Sequence, residues 1–319
     1  MKKTILFISL FLIAACDSGK EPASSADSST SVEGSTDFNL TEIAEGVFVH
    51  QGVHVEVDHE DHADIANIGF IVGDECVAVI DTGGSIENGL KLRKLIKTKT
   101  DKQICYVINT HVHFDHVLGN HAFKQDNPKY VGHINLADAL LQNREFFLEA
   151  FTADLGENAT VENIVGPEIL VEDTMEIDLG NRKLLLTAHP KAHTTTDLSI
   201  LDQKTNILWT GDLVFMERVP VIDGGLKSWF TVMEGMNKHE YKLVVPGHGP
   251  SSAAWPEAME PQQQYFKVLI DETRQAIADG IFLGDALTKV AQSEKDNWVL
   301  FESLNQRAVS RAYQELEWE

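Results

Sequence analysis

The sequence predicts one large α/β body of two sheet-rich halves, closed by a mainly helical C-terminal stretch. From Phe38 onward, short β-branched runs alternate with stretches of helical spacing. After Pro256 that alternation gives way to apolar residues at helical spacing alone. Composition agrees: 43% hydrophobic and 24% charged residues in a 319-residue chain is ordinary globular material with enough for a sizeable core.

The charge balance excludes partner classes. Acidic residues outnumber basic ones 49 to 26, a formal charge of −23. Nucleic acid is therefore not expected as a partner, since phosphate binding needs a surplus of Lys and Arg. Three cysteines are too few for a disulfide scaffold.

The elements follow in order. Lys2 and Lys3 precede a short apolar run ending in Ile13-Ala14-Ala15-Cys16, so residues 1–16 read as an export signal. That run is too short for a membrane span. Residues 17–37 are rich in Ser, Asp, Gly and Thr and cannot bury enough surface to order themselves, so they read as a tether. Strands are predicted over 47–51, 68–72, 76–82 and 105–110, with a helical stripe through Leu90, Leu95 and Ile96 between the last two. A second set is predicted over 175–179, 183–188, 198–201, 207–210 and 242–245, with helices over 136–151 and around 229–236. Residues 38–254 then form the main domain and 255–319 a helical extension packed on the same body. Cys76 and Cys105 begin neighbouring strands, and side by side they are expected to stay free thiols.

The decisive segment is Thr110-His111-Val112-His113-Phe114-Asp115-His116, directly after a predicted strand. Alternation lets His111 and His113 point the same way, while Asp115 and His116 on the turn beyond face a second position. Imidazole nitrogen and carboxylate oxygen suit zinc, and hydrolytic sites often hold two ions ~3.5–4 Å apart. A lone histidine is usually a satisfied core residue; three histidines with an aspartate at this spacing are not. Further donors stand at predicted strand ends: His193, Asp212 and His248, the last two beside Gly211, Gly247 and Gly249. Asp81 also ends a strand, where a carboxylate can orient a metal-binding histidine through its other ring nitrogen.

The order Asp81, His111-x-His113-x-Asp115-His116, His193, Asp212, His248 resembles the metallo-β-lactamase superfamily over residues 38–252. The resemblance implies an αββα sandwich with the metals at one edge. It also implies that His111, His113 and His193 hold one ion, that Asp115, His116 and His248 hold the other, and that Asp212 bridges them. The best-known β-lactamases carry cysteine at the position of Asp212, and flavo-diiron proteins carry a carboxylate at that of His113. The set here is similar to the glyoxalase II type, which takes two zinc ions and also accepts iron or manganese. The stretches Gly46-Val47-Phe48-Val49-His50-Gln51-Gly52, Asp64-Ile65-Ala66-Asn67-Ile68-Gly69-Phe70 and Cys105-Tyr106-Val107-Ile108-Asn109-Thr110 resemble the quinoprotein relay system zinc metallohydrolases. That likeness implies a periplasmic quinoprotein or cytochrome partner. The ending at Cys16 likewise resembles a bacterial lipobox, implying a lipid on Cys16 and a place on the periplasmic face of a membrane.

The implied activity is hydrolysis of a small ester, thioester, lactone or amide by a metal-bridging hydroxide, with Asp115 orienting the nucleophile. A non-catalytic metal-binding or maturation factor uses the same ligands. The acidic, histidine-bearing loop 54–62 is expected to be solvated, although in related proteins the equivalent hairpin overhangs the metals, and the resemblance implies that the segment 220–229 lines the pocket. Lys227 is its one cation, able to hold an anionic group or to be an ordinary surface lysine.

Overall fold

The computed structural model describes residues 38–319; the export signal, Cys16 and the tether lie outside the described residues. Seven strands form the first sheet in sequence order: β1 (Thr41–Ala44), β2 (Val47–His50), β3 (Ile68–Val72), β4 (Cys76–Ile80), β5 (Gln103–Ile108), β6 (Lys129–His133) and β7 (Ile169–Val171). The pairs up to β3–β4 are antiparallel and those from β4–β5 onward parallel. The crossover between β4 and β5 is helix α1 (Ile86–Lys99), capped by Ser85, whose Oγ accepts from Asn88 N at 3.0 Å. The second sheet runs β12-β11-β10-β9-β8, built from β8 (Thr174–Asp178), β9 (Lys183–Ala188), β10 (Leu198–Asp202), β11 (Ile207–Phe215) and β12 (Leu243–His248). Only β11–β12 is parallel there.

Strand alternation sorts the apolar residues into layers. Val47, Val49, Ala78 and Ile80 turn inward, meeting Leu184, Leu186, Leu198 and Trp209 of the second sheet. Phe48, Val77 and Val79 turn outward under Leu92 and Ile96 of α1. The outer face of the second sheet, with Leu208 and Phe215, is covered by α5 (Leu226–Met236), α6 (Glu260–Ala278) and α8 (Phe301–Leu316) through Trp229, Phe266, Leu269, Leu304 and Val309. The layers are helix, sheet, sheet, helix. The C-terminal helices share the core of that outer face. Between β5 and β7 lie the short α2 (Phe114–Val117), α3 (Leu136–Ala150) and α4 (Thr152–Leu155); α7 (Leu283–Ala286) precedes α8.

Three strands were not expected from sequence: β1, β6 and β7. β7 has three residues, and β6 ends in Gly132 and His133, so neither offers a run long enough to show alternation. Strand β11 is the more telling difference. The expected strand end before Asp212 is corrected: all nine residues of β11 are buried and Asp212 lies inside it. Cys76 and Cys105 are unbridged, and burial pushes the Cys76 thiol up to about 12, making it inert.

Candidate metal centre

Both sheets deliver their donors to one edge. His111 and His113 follow β5, Asp115 and His116 sit on α2, His193 follows β9, Asp212 lies within β11 and His248 ends β12. A side-chain network fixes the turn beyond β5. Asn109 Nδ2 donates to His116 O (3.1 Å) and to Asn120 Oδ1 (3.1 Å), while Asn120 Nδ2 donates back to Asn109 Oδ1 (2.7 Å). Asp212 owes its direction to a bulge. Inward residues Ile207 and Trp209 give way to outward Leu213 and Phe215, and the β11–β12 register shifts at Gly211, which has φ +49°. An inserted residue of this kind re-aims the next side chain. A Cβ at Gly211 would stand 2.6 Å from Thr110, and one at Gly247 would stand 2.0 Å from Asp212 Oδ1, so both positions require glycine.

The donors fall into two groups, His111, His113, His193 with Asp212, and Asp115, His116 with His248. In the first, His193 Nε2 lies 3.2 Å from His111 Nε2 and 2.9 Å from His113 Nδ1, and those two are 3.2 Å apart. Ligands at ~2.0–2.1 Å from a tetrahedral ion stand ~3.3 Å from one another, which this triangle approaches. In the second, Asp115 Oδ2 is 3.5 Å from His116 Nε2 and 3.4 Å from His248 Nε2. Asp212 faces both: Oδ2 lies 3.2 Å from His193 Nε2 and from His248 Nε2, and Oδ1 lies 3.1 Å from His116 Nε2.

Each histidine is held by its other ring nitrogen. His116 Nδ1 donates to Asp81 Oδ2 (2.8 Å), His193 Nδ1 to Val221 O (2.7 Å) and His248 Nδ1 to Ile65 O (2.7 Å). His111 Nδ1 donates to Thr110 Oγ1 (3.0 Å), and His113 Nε2 to Asp223 Oδ2 (2.9 Å). Asp81, at φ 54°, is itself fixed by Thr110 N (2.8 Å) and Thr110 Oγ1 (2.7 Å). Such partners fix the tautomer and leave the inward nitrogen free to bind a metal.

These residues fit divalent cations. His116 Nε2 and Asp212 Oδ1 are buried and, although 3.1 Å apart, are not aligned to hydrogen-bond each other or anything else described. Atoms that converge without bonding one another are ligands in search of an ion. Burial would raise the Asp212 carboxyl, yet the imidazoles of His248, His116, His111 and His193 hold it well below the usual carboxylate range. Burial opposes charge on His116, but Asp212, Asp115 and Asp81 outweigh it and hold its pKa well above that of a free histidine. The field at the centre draws positive charge.

Residues 63–263, more than half of the chain, match the family model described as the metallo-β-lactamase superfamily. The chain belongs to the metallo-β-lactamase superfamily. Among its relatives is acyl-coenzyme A thioesterase MBLAC2 of Homo sapiens, 25% identical over 214 residues that cover 57% of this chain and 72% of the relative. A solved metallo-β-lactamase from Pontibacter korlensis shares the fold with a TM-score of 0.60 at 19% identity, covering 72% of this chain and 99% of its own. The sec-alkylsulfatase Pisa1 from Pseudomonas sp. does so with a TM-score of 0.66 at 17% identity, over 86% of this chain and 49% of its own. This superfamily member is a hydrolase of the metallo-β-lactamase fold.

Lys227 needs correction as a pocket cation. Its Nζ pairs with Glu319 Oε1 at 2.7 Å, and the side chain lines a cavity of about 610 Å³ shared with Lys191, Arg311 and Glu315 and containing none of the metal donors. The loop 54–62 is less solvated than expected. Only its tip, Val57 to Glu60, is exposed; His62 Nε2 bonds Asp154 (3.0 Å) and His54 Nε2 bonds Glu217 (2.9 Å). Sequence reasoning missed Asp223 as the partner of His113. It lies within the segment expected to line the pocket, where attention went to the lysine.

Proposed function

We propose that this protein is an exported two-metal hydrolase that cleaves a small acyl thioester or a related ester, lactone or amide. The observation that carries the reading is Asp212, with one oxygen facing His116 and the other facing His193 and His248. His111, His113, His193 and Asp212 would hold one ion; Asp115, His116, His248 and Asp212 the other. Zinc suits this donor set, and iron or manganese can replace it. Bound there, divalent ions lower the pKa of water from ~15.7 towards ~7 and polarise an acyl oxygen.

The chain's own residues then orient and restrain. Asp115 accepts a hydrogen bond from the attacking water and turns its lone pair to the acyl carbon. Asp81 and Thr110 keep His116 and His111 in single tautomers, and Asp223 does the same for His113. Thioesters come first among the substrate classes because the curated relative is named for acyl-coenzyme A thioester cleavage. Export rests on Lys2, Lys3 and the apolar run before Cys16, which we propose carries the lipid that places the protein on the periplasmic face of a membrane. Association with a quinoprotein or cytochrome rests on the three stretches given above.

The test is turnover by metal-replete protein across acyl thioesters, carboxylic esters, lactones, β-lactams and secondary alkyl sulfates. Thioester or ester cleavage that vanishes with chelator and returns with zinc is the expected result. A preference for β-lactams or sulfates would overturn the substrate class. No turnover of any class would favour a metal-binding maturation factor. A Cys16→Ser form is expected to leave the membrane fraction, and unchanged fractionation would remove the lipid anchor.

A further inference from the structure

Two histidines of the group His111, His113 and His193 take their outer partners from one loop. Val221 O accepts from His193 Nδ1 (2.7 Å), and Asp223 Oδ2 accepts from His113 Nε2 (2.9 Å). Residues 219–225, between β11 and α5, belong to neither strand nor helix, so no ladder of strand bonds holds them. On its inner side the loop is tied to the segment it supports. Asp223 N and Gly224 N donate to His193 O (3.1 and 2.6 Å), and Gly225 N donates to Ala192 O (2.9 Å).

The outer side is held by α8. Arg311 Nε donates to Ile222 O (3.0 Å), and its Nη2 donates to Asp223 O (2.8 Å). One turn on, Glu315 accepts from the first two amides of α5, Leu226 N at Oε2 (2.8 Å) and Lys227 N at Oε1 (3.1 Å). Those amides have no partner within their own helix, and Gly225 at the N-cap has no side chain to offer them. A carboxylate there also meets the positive end of the helix dipole. Arg311 and Glu315 are four residues apart, hence neighbours on one face of α8. That face grips carbonyls with a cation and amides with an anion, on either side of Gly224-Gly225. Ile222 and Leu226 are anchored in the core, but the two glycines have no side chains to pack. They line the cavity of about 610 Å³ together with Arg311 and Glu315.

We infer that Arg311 and Glu315 are positioning residues for the ion held by His111, His113 and His193, acting through the loop 221–225. Helix α8 lies beyond the residues that the family model matches, so the closing helix supports the metal centre without supplying a ligand. His116 and His248 take their outer partners from Asp81 and Ile65, outside this loop, and the effect is therefore selective for one ion. The inference rests on the two-ion reading above and is independent of the substrate.

Zinc titration against a competing chelator tests it, followed by NMR of the histidine ring nitrogens. His113 and His193 report one ion, His116 and His248 the other. The double variant Arg311→Ala, Glu315→Ala is expected to weaken zinc at His113 and His193 about tenfold, the lower end for changes outside the ligands, with the other ion little changed. Both side chains lie at the surface, so the buried face of α8, with Ala308, Ala312 and Leu316, is untouched. Glu315→Gln keeps an acceptor but not the charge and should shift the ratio of the two affinities about threefold. Glu319→Gln breaks the exposed pairs with Lys227 and Arg274 at the same end of the chain and should leave the ratio unchanged.

Equal weakening of both ions, no change at either, or the same shift from Glu319→Gln would overturn the inference. If the double variant does not fold, Glu315→Gln carries the test, and an unmoved ratio overturns it. Fewer than two zinc ions on wild type would sink the two-ion reading and this inference with it. Two ions with an unmoved ratio would sink the role of α8 alone.

Discussion

The group of Asp115, His116 and His248 is sealed inside the protein, whereas the group of His111, His113 and His193 opens to solvent at His113. Side chains of the first are 6% or less exposed; His113 is 24% exposed. Their supports differ in the same sense. His116 leans on Asp81, 2% exposed and held by two bonds from Thr110, while His113 leans on Asp223, 44% exposed. Similar ligand chemistry is thus secured by a buried network on one side and by a half-exposed carboxylate on the other. A buried hydrogen bond costs more to lose than a solvent-screened one. The two groups should therefore respond unequally to equivalent changes.

Asp212, common to both, gives the largest expected effect. Asp212→Asn removes the charge that faces both ions, so metal content should fall below two per chain. Hydrolysis should drop by more than the ~10–100-fold typical of outer partners. Elemental analysis and kcat/KM on one sample check this, and two retained ions would break the shared-ligand assignment.

Asp81→Asn sharpens the contrast between the groups. It should weaken the ion held by His116 within the ~10–100-fold range while the other ion stays, read by competitive chelation. Asp223→Asn should act on the ion held by His113 instead, and by a smaller factor of about tenfold or less, because its bond is screened by water. Equal losses from the two variants would mean that exposure does not set the strength of these supports. The smallest effect is expected at Lys227→Ala. Its surface pair with Glu319 is worth ~0–1 kcal/mol. Chemical denaturation and turnover should both stay close to wild type, and a large loss of turnover would return Lys227 to the site.

Much of the centre was legible because its first four donors lie within six residues after a β-branched run, where local alternation already sends His111 and His113 one way. The layers were legible for a similar reason: the period of two in Val77, Val79 against Ala78, Ile80 marks a strand with two covered faces. β7 was not, since three residues cannot display a period. Nor was the burial of Arg218. Arg218 looks like any other arginine until its lack of acceptors is seen.

The sequence by itself determined the donor inventory, the strand-and-helix grammar and the helical closing stretch, all properties that residues a few positions apart impose on one another. The tertiary structure decided how distant parts meet. It set Asp212 between the groups through a bulge whose direction depends on pairing with β12. It brought Asp223 to His113 across 110 residues and drew Lys227 away to Glu319. Side-chain direction at a bulge and contacts between remote segments depend on packing that no local period encodes, so only the folded chain could supply them.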